Sequence, residues 1–235
     1  MSQSIKLENI GCLVVEGNEG LDCKYGSSLT IEDEYIASIG SGNADTVIDC
    51  KDKMVTSGFV DSHTHLVFDT LRIEEHKLRL SGASYEEIAK KGGGIVSSVE
   101  SVRSASPKKL FDKGYERLNR FLSMGTTTIE AKSGYGLDVE SELKSLKVIN
   151  ELSDAHPIKI LPTFMGAHAF PVEYQNKKDE YVSLIINKMI PEINKKGLAK
   201  FIDVFCEEGY FSVDQSKQIL EAGKSAGLIP RIHAD

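Results

Sequence analysis

From Met54 onward, apolar segments with the length of buried strands alternate with longer segments of helical pattern. The strand candidates are Met54–Val60, Thr126–Ala131, Ile158–Phe164, Phe201–Phe205 and Ile229–Ile232. Strands that alternate with helices over such distances predict a parallel sheet, because each helix returns the chain to the start of the next strand. The sequence therefore predicts an α/β fold, either an open parallel sheet or part of a β/α barrel.

Serine residues mark three helix starts in this region. Ser84 and Ser212 each lie three residues before Glu or Gln, which is the capping-box pattern. Ser106 precedes a proline, which fits an N-cap followed by proline at the first helical position. We expect helices to begin after each of these serines.

Residues 1–53 have a different pattern. Gly, Asn and Asp separate short apolar runs without a helical period, at Cys12–Val15, Ser28–Ile31, Tyr35–Ile39 and Thr46–Ile48. Such runs predict strands and turns. We therefore expect two domains, a small β domain over residues 1–53 and an α/β domain over residues 54–235.

The number of strand candidates limits how much of a barrel the chain can form. A β/α barrel takes about 250 residues for eight strand–helix units, whereas the α/β region shows five strand candidates. Two interpretations remain open at this point. Either the sheet is open with five strands, or the sequence is part of a longer protein.

Two histidines, His63 and His65, directly follow the first of these strand candidates. Side chains two residues apart on a strand point to the same side, so both imidazoles can approach one metal ion. A catalytic metal needs a further ligand, and His233 lies at the end of the fifth strand, at the edge where α/β enzymes place functional residues. We therefore predict a metal centre formed by these three histidines, whose imidazoles suit zinc, iron or nickel.

Polar residues follow the other strands as well. Tyr135, His168 and the segment Cys206–Glu208 come after the second, third and fourth strands. Loops at the carboxyl ends of parallel strands share one face, so these residues can line one pocket with the metal. Arg72 lies in the loop after the metal strand, where a guanidinium can bind a substrate carboxylate through two parallel hydrogen bonds. Taken singly, each of these residues also fits an ordinary structural or surface role.

The remaining histidines and the cysteines are expected to have no catalytic role. His76 and His156 fall in or beside charged helical segments and should face solvent. The four cysteines form no CxxC pair, so we expect reduced thiols rather than a disulfide framework or a structural zinc site.

Composition argues against several classes of protein. The chain has 28 Lys and Arg against 35 Asp and Glu, a formal net charge of −7, whereas nucleic-acid-binding proteins usually carry a basic surplus. No segment approaches the roughly 18 consecutive apolar residues of a membrane span, and the first residues lack the apolar centre of a secretory signal. We therefore expect a cytoplasmic protein that binds neither nucleic acid nor membrane.

The motifs resemble those of a known enzyme superfamily. The segment GFVDSHTHLVF at 58–68, preceded by a small β region, resembles the amidohydrolases, which are metal-dependent hydrolases on a distorted β/α barrel with a small β-sandwich. Within that superfamily, four further segments are similar to the imidazolonepropionase family of histidine degradation: EAKSGYGLD, PTFMGAHAFP, DVFCEEGYFS and IHAD. The similarity covers essentially the whole chain.

The resemblance implies a cofactor, a substrate and a role for six residues. It implies one zinc or iron ion bound by His63, His65 and His233. It implies that 4-imidazolone-5-propanoate is contacted by Arg72, Tyr135 and His168, with Arg72 as partner of the propanoate. In the family, the metal activates water to attack the ring amide, which yields N-formimidoyl-L-glutamate. A homodimer is compatible with this resemblance.

Members of the family extend beyond the position of Asp235. There they supply an acidic residue, a further histidine, an aspartate metal ligand and the last strands of the small domain. We therefore expect this sequence to be the N-terminal part of such a protein, inactive alone, with the general base beyond Asp235. The expected fold is α/β: residues 1–53 form part of the small β-sandwich, and residues 54–235 form a partial TIM-like β/α barrel of about five strand–helix units that stops after the fifth strand. One metal ion is expected, because the end of the fourth strand reads Cys206–Glu208 where binuclear members have a modified lysine.

Two alternative functions remain open. The first is another amidohydrolase, such as a nucleobase deaminase, which would share the HxH pair and the later histidine. The second is a non-catalytic fragment with a partial metal site.

Overall fold

The computed structural model describes residues 3–82 and 94–234. The chain divides into two compact units, Met1–Gly58 and Phe59–Asp235. Residues 54–58 therefore belong to the first unit, whereas the sequence pattern groups them with the α/β region.

The first unit is a five-stranded sheet. Its strands are β1 (Ser4–Gly17), β2 (Gly20–Glu32), β3 (Tyr35–Ile39), β4 (Thr46–Asp49) and β5 (Met54–Val55). The strand order is β3-β2-β1-β4, and β5 also pairs with β1. Pairing is antiparallel along β3-β2-β1 and parallel between β1 and both β4 and β5. Its buried apolar core consists of Ile10, Leu13 and Leu29.

The second unit is built on a five-stranded parallel sheet. Its strands are β6 (Phe59–Thr64), β7 (Thr126–Lys132), β8 (Lys159–Ala167), β9 (Phe201–Phe205) and β10 (Ile229–His233). They lie in the order β10-β9-β8-β7-β6, so every strand pairs with its neighbour along the chain, as in a β/α barrel. The predicted α/β class is confirmed.

Helices connect the strands of this sheet. They are α1 (Ile73–Leu80), α2 (Ile95–Ser104), α3 (Pro107–Ser123), α4 (Val139–Ala155), α5 (Lys178–Leu184), α6 (Ile190–Lys196) and α7 (Val213–Ser225). A π-helical turn, Ile185–Met189, joins α5 to α6, and Val172–Tyr174 forms a 3₁₀ turn. Among the described residues, no helix is long and apolar enough to cross a membrane.

Two of the three predicted helix starts are confirmed. The Ser106 hydroxyl accepts a hydrogen bond from a backbone N–H in the first turn of α3, and Ser212 forms a complete capping box at the start of α7. The prediction at Ser84 lies outside the described residues.

The prediction of one strand over Met54–Val60 is wrong. The structure divides this segment between β5, which pairs with β1 of the first unit, and β6, which starts at Phe59 and pairs with β7. Residues 56–58 are in no strand. Both halves of the segment contribute residues to a sheet, so the apolar pattern continues across residues 56–58. Hydrophobicity alone therefore does not reveal that the chain passes from one sheet to the other.

His156 does not face solvent as predicted, because α4 ends at Ala155 and the next side chain turns into the protein. It is 6% exposed, its ring lies edge-on to Tyr115, and its Nδ1 accepts the N–H of Ile158 at 3.2 Å. His76 is exposed, as predicted. All four cysteines are free in the structure.

Candidate active site

The two edge strands of the parallel sheet meet at their carboxyl ends. His63 lies in β6 and His233 ends β10, yet His63 Nδ1 and His233 Nε2 are 3.1 Å apart. In a flat sheet, strands four positions apart would lie about 19 Å apart, at about 4.8 Å a step. The sheet is therefore strongly curled, and the curl creates the contact between the two histidines.

Asp203 of β9 orients the His233 ring. Its two carboxylate oxygens lie 3.0 and 2.9 Å from His233 Nδ1, and Asp203 is 1% exposed. A buried carboxylate only accepts hydrogen bonds, so Nδ1 carries the proton and Nε2 keeps its lone pair towards His63. This is the arrangement in which a carboxylate fixes the tautomer of a metal-binding histidine.

His65 lies one residue beyond β6, and its ring packs on a different group. It stacks on His168, with ring centroids 4.7 Å apart, and lies 4.6 Å from the Tyr135 ring. The His63 ring is farther away, at 6.2 Å. His65 Nδ1 is buried without a hydrogen-bond partner, so this nitrogen remains available to a ligand.

The residues present fit a metal ion in chemistry and partly in geometry. Two imidazole nitrogens bound tetrahedrally to zinc at about 2.0–2.1 Å would lie about 3.3 Å apart, close to the separation of the His63 and His233 nitrogens. Within residues 3–82 and 94–234, no group of three or more His, Cys, Asp or Glu is already arranged around one metal position. The three-histidine centre stays a prediction.

Burial lowers the pKa values of three site histidines, which favours their neutral imidazoles. Burial lowers the pKa of His63, and it lowers that of His65 well below the usual value. Burial also lowers the pKa of His168 to about 4. Metal ions bind the neutral form of histidine, so no proton has to leave these rings at neutral pH.

A buried charge network lies beside His233 on the inner side of the sheet. Lys132 Nζ contacts the carboxylates of Glu130 and Asp203, the second at 2.8 Å. Glu130 also contacts the Arg231 guanidinium and accepts a hydrogen bond from the Thr163 hydroxyl at 2.7 Å. Two carboxylates thus face two cations, which compensates the cost of burying them.

Sequence reasoning missed this network, and in particular the role of Asp203. A signal was present, because ionisable residues occupy every second position near the carboxyl ends of two strands, at Glu130 and Lys132 of β7 and at Arg231 and His233 of β10. Side chains at every second position point to one face of a sheet. Charge with a period of two in a buried strand therefore indicates a polar interior.

The three predicted substrate residues line one cavity of about 320 Å³. Arg72, Tyr135 and His168 are joined in its wall by Glu75, His76, Arg79, Ile95, Phe205 and Tyr210. The Arg72 side chain is 41% exposed and lies 3.7 Å from the Glu75 carboxylate. Burial raises the pKa of Tyr135, so its hydroxyl stays protonated.

The cavity does not include Cys206–Glu208, contrary to the expectation that this segment lines the pocket. The chain turns there instead. The Cys206 N–H donates to the carbonyl of His233 at 2.8 Å, and Glu207 accepts the Glu208 N–H at 3.0 Å. Phe205 and Tyr210, on either side of the turn, reach the cavity in its place.

Comparison with known proteins agrees with these motifs. The imidazolonepropionase of Geobacillus kaustophilus is 49% identical over 205 residues, which are 87% of this chain and 48% of that protein. That of Clostridium tetani is 44% identical over an alignment of 240 residues, which covers 96% of this chain and 57% of that protein. The chain is a relative of the imidazolonepropionases. It spans about half the length of the imidazolonepropionases that it matches. No family model matches the chain.

Solved structures share the fold. A 5-methylcytosine deaminase from Klebsiella pneumoniae, liganded with phosphonocytosine, matches 98% of this chain and 51% of its own, with a TM-score of 0.66 and 15% identity. A mutant atrazine chlorohydrolase from Arthrobacter aurescens, complexed with zinc and atraton, matches 98% and 53%, with a TM-score of 0.63 and 12% identity. This likeness confirms the predicted fold, a partial β/α barrel preceded by a small β unit.

Proposed function

We propose that the full-length protein that carries this chain is a metal-dependent imidazolonepropionase. It would hydrolyse 4-imidazolone-5-propanoate to N-formimidoyl-L-glutamate: water adds to the ring carbonyl carbon, the ring C–N bond breaks, and the nitrogen takes up a proton. The observation that carries this proposal is one cavity lined by Arg72, Tyr135 and His168. The His65 ring stacks on His168, so the cavity adjoins the candidate metal ligands.

We propose one zinc or iron ion as the cofactor, with His63, His65 and His233 as its protein ligands in this chain. When bound, such a metal lowers the pKa of a water molecule and polarises a carbonyl. Asp203 holds the His233 ring in the tautomer that leaves Nε2 free. His65 contributes a buried Nδ1 that has no other partner.

Arg72, Tyr135 and His168 would each bind a different group of the substrate. The Arg72 guanidinium would bind the propanoate through paired hydrogen bonds, and the protonated Tyr135 hydroxyl would donate to the ring carbonyl. His168 Nδ1 lies 2.9 Å from the Gly134 carbonyl, so Nδ1 carries the proton. His168 Nε2 is then an acceptor for a ring N–H of the substrate.

We place the general base in the part of the full-length protein that lies beyond Asp235, as the resemblance implies. Asp203, which contacts His233, and Glu130 are buried carboxylates that are both held in ion pairs. Neither carboxylate lines the cavity of Arg72, Tyr135 and His168. We also propose a cytoplasmic location.

The test is an assay of the full-length protein with 4-imidazolone-5-propanoate, cytosine and guanine in parallel. We expect turnover of the first compound alone. Arg72→Lys should raise KM for it about tenfold or more, because an ammonium group cannot reproduce bidentate carboxylate binding. Arg120→Lys, an exposed change on α3, is the matched control.

Three results would contradict the proposal. Turnover of a nucleobase without turnover of 4-imidazolone-5-propanoate would favour a deaminase. Metal-loaded protein without activity on any of the three compounds would favour a non-catalytic role. An unchanged KM in Arg72→Lys would remove Arg72 from the substrate site.

A further inference from the structure

The backbone of residues 133–138, the loop between β7 and α4, donates hydrogen bonds to one buried carboxylate. Glu142 in the first turn of α4 is 0% exposed. Its Oε1 accepts the N–H groups of Gly136 at 2.8 Å and Leu137 at 3.0 Å, and both of its oxygens lie 3.1 Å from the Gly134 nitrogen. One side chain thus accepts hydrogen bonds from three N–H groups of the loop backbone, those of Gly134, Gly136 and Leu137.

A guanidinium holds the carbonyl groups of the same loop. Arg103, near the end of α2, donates to the Gly136 carbonyl at 2.8 Å and to the Leu137 carbonyl at 3.1 Å. It is oriented by ion pairs with Asp138 at 2.9 Å and Glu173 at 2.8 Å. The planar fork of arginine suits such simultaneous contacts, which a lysine ammonium would not reproduce.

The loop backbone needs this support because its conformation is unfavourable in itself. Leu137 has a φ of +55°, in the left-handed region that side chains other than glycine rarely adopt. Gly134 has a φ of +106°, and a Cβ there would lie 2.8 Å from the Met165 carbonyl oxygen and 3.0 Å from the His168 Cβ. Such a backbone persists only where surrounding contacts determine it.

The loop carries two contacts of the candidate active site. Tyr135 lies at its centre and lines the cavity, and the Gly134 carbonyl fixes the tautomer of His168. Neither Glu142 nor Arg103 lines the cavity. We propose that Glu142 and Arg103 are positioning residues that hold Tyr135 and His168 for the substrate, an inference that rests on the proposed function.

Glu142→Gln is the main test, in the full-length protein. The amide has the shape of the carboxylate but turns an NH₂ donor towards backbone donors, so one or more loop hydrogen bonds are lost. Glu140→Gln, an exposed change in the same turn of α4, is the matched control. Arg103→Lys removes contacts to the loop carbonyl groups instead of the loop N–H groups. It provides an independent test if Glu142→Gln fails to fold.

The kinetic expectation separates positioning from a general loss of structure. Glu142→Gln and Arg103→Lys should each lower kcat/KM about tenfold or more in the wild-type background, and Glu140→Gln should change it less than about twofold. In a Tyr135→Phe background, the same two changes should have a smaller effect than in the wild-type background, because the part of their effect that passes through the Tyr135 hydroxyl is already lost. Fully additive losses would overturn the positioning role.

Amide hydrogen exchange provides a second measurement that needs no activity. Exchange at residues 134, 136 and 137 should be about tenfold faster or more in Glu142→Gln than in Glu140→Gln. Wild-type exchange rates and wild-type kcat/KM in both Glu142→Gln and Arg103→Lys would overturn the inference. Faster exchange in a protein that does not hydrolyse 4-imidazolone-5-propanoate would support the hold on the loop and reject the proposed function instead.

Discussion

The two units of the chain bury apolar side chains to very different extents. The first unit has three buried core residues, Ile10, Leu13 and Leu29, while its Leu21 and Ile36 are 78% and 66% exposed. In the second unit a continuous core, with Phe164, Leu146 and Tyr181 fully buried, surrounds the charged interior of the sheet. The buried charged network thus lies in the unit with the larger apolar core, which can exclude water from it.

The largest effect is expected from the core of the second unit. Phe164→Ala should lower the free energy of unfolding by about 4 kcal/mol, because it removes a fully buried ring and leaves a cavity. Phe59→Ala, at a 61% exposed position of the same sheet, should cost less than about 1 kcal/mol. Denaturant titration of both variants measures the difference, and equal losses would show that the core is not as closely packed as the structure indicates.

The charged interior should respond almost as strongly. Lys132→Met should cost about 3 kcal/mol, because it leaves two buried carboxylates without their shared cation. Lys147→Met, on the exposed side of α4, is the control and should be close to neutral. A Lys132→Met protein as stable as the wild type would mean that water or other cations reach Glu130 and Asp203.

A smaller effect is expected in the first unit. Leu29→Ala should cost about 2 kcal/mol, at the low end for buried leucine, because its small core can collapse around the change. Leu21→Ala, on the same strand β2 and exposed, is the control. Hydrogen exchange should locate the loss in the first unit, and a matching loss throughout the second unit would show that the two unfold together.

The smallest effect is a pH dependence of the second unit through His156. Burial lowers the folded-state pKa of this histidine, so the unfolded chain takes up its proton first as pH falls below about 6.5. The stability present above that pH is therefore lost towards acid, with a slope of at most about 1.4 kcal/mol per pH unit. His156→Asn should reduce this slope relative to the wild type between pH 7.5 and 5, and His76→Asn, at an exposed position, is the control for the loss of a histidine.

Local patterns predicted most of the fold. The strands β7 to β10 and the serine caps of α3 and α7 follow from apolar runs and capping chemistry, which act within a few residues. The division between β5 and β6 did not follow, because it depends on which sheet each half joins. His156 was misjudged for a similar reason, since its burial arises from Tyr115 on another helix.

The candidate site was predictable in its members more than in its arrangement. The positions of Arg72, Tyr135 and His168 after strands indicated a shared pocket, and the structure brings all three to one cavity. The stacking of His65 on His168 instead of against His63 could not be foreseen, because it depends on side-chain rotation at the end of β6. Nor did spacing reveal Glu142, whose partners are backbone N–H groups that come together around one carboxylate only when the loop has formed.

The contact between His63 and His233 joins positions 170 residues apart in the chain. Every intervening strand must pair with its neighbour before these two rings can meet, since they stand on the first and last strands of the sheet. Contacts of such long sequence separation form slowly, because the entropy of closing the loop is lost before the contact is gained. The histidine pair is thus expected to be among the last features to appear during folding, and no partly folded form of the second unit would present it.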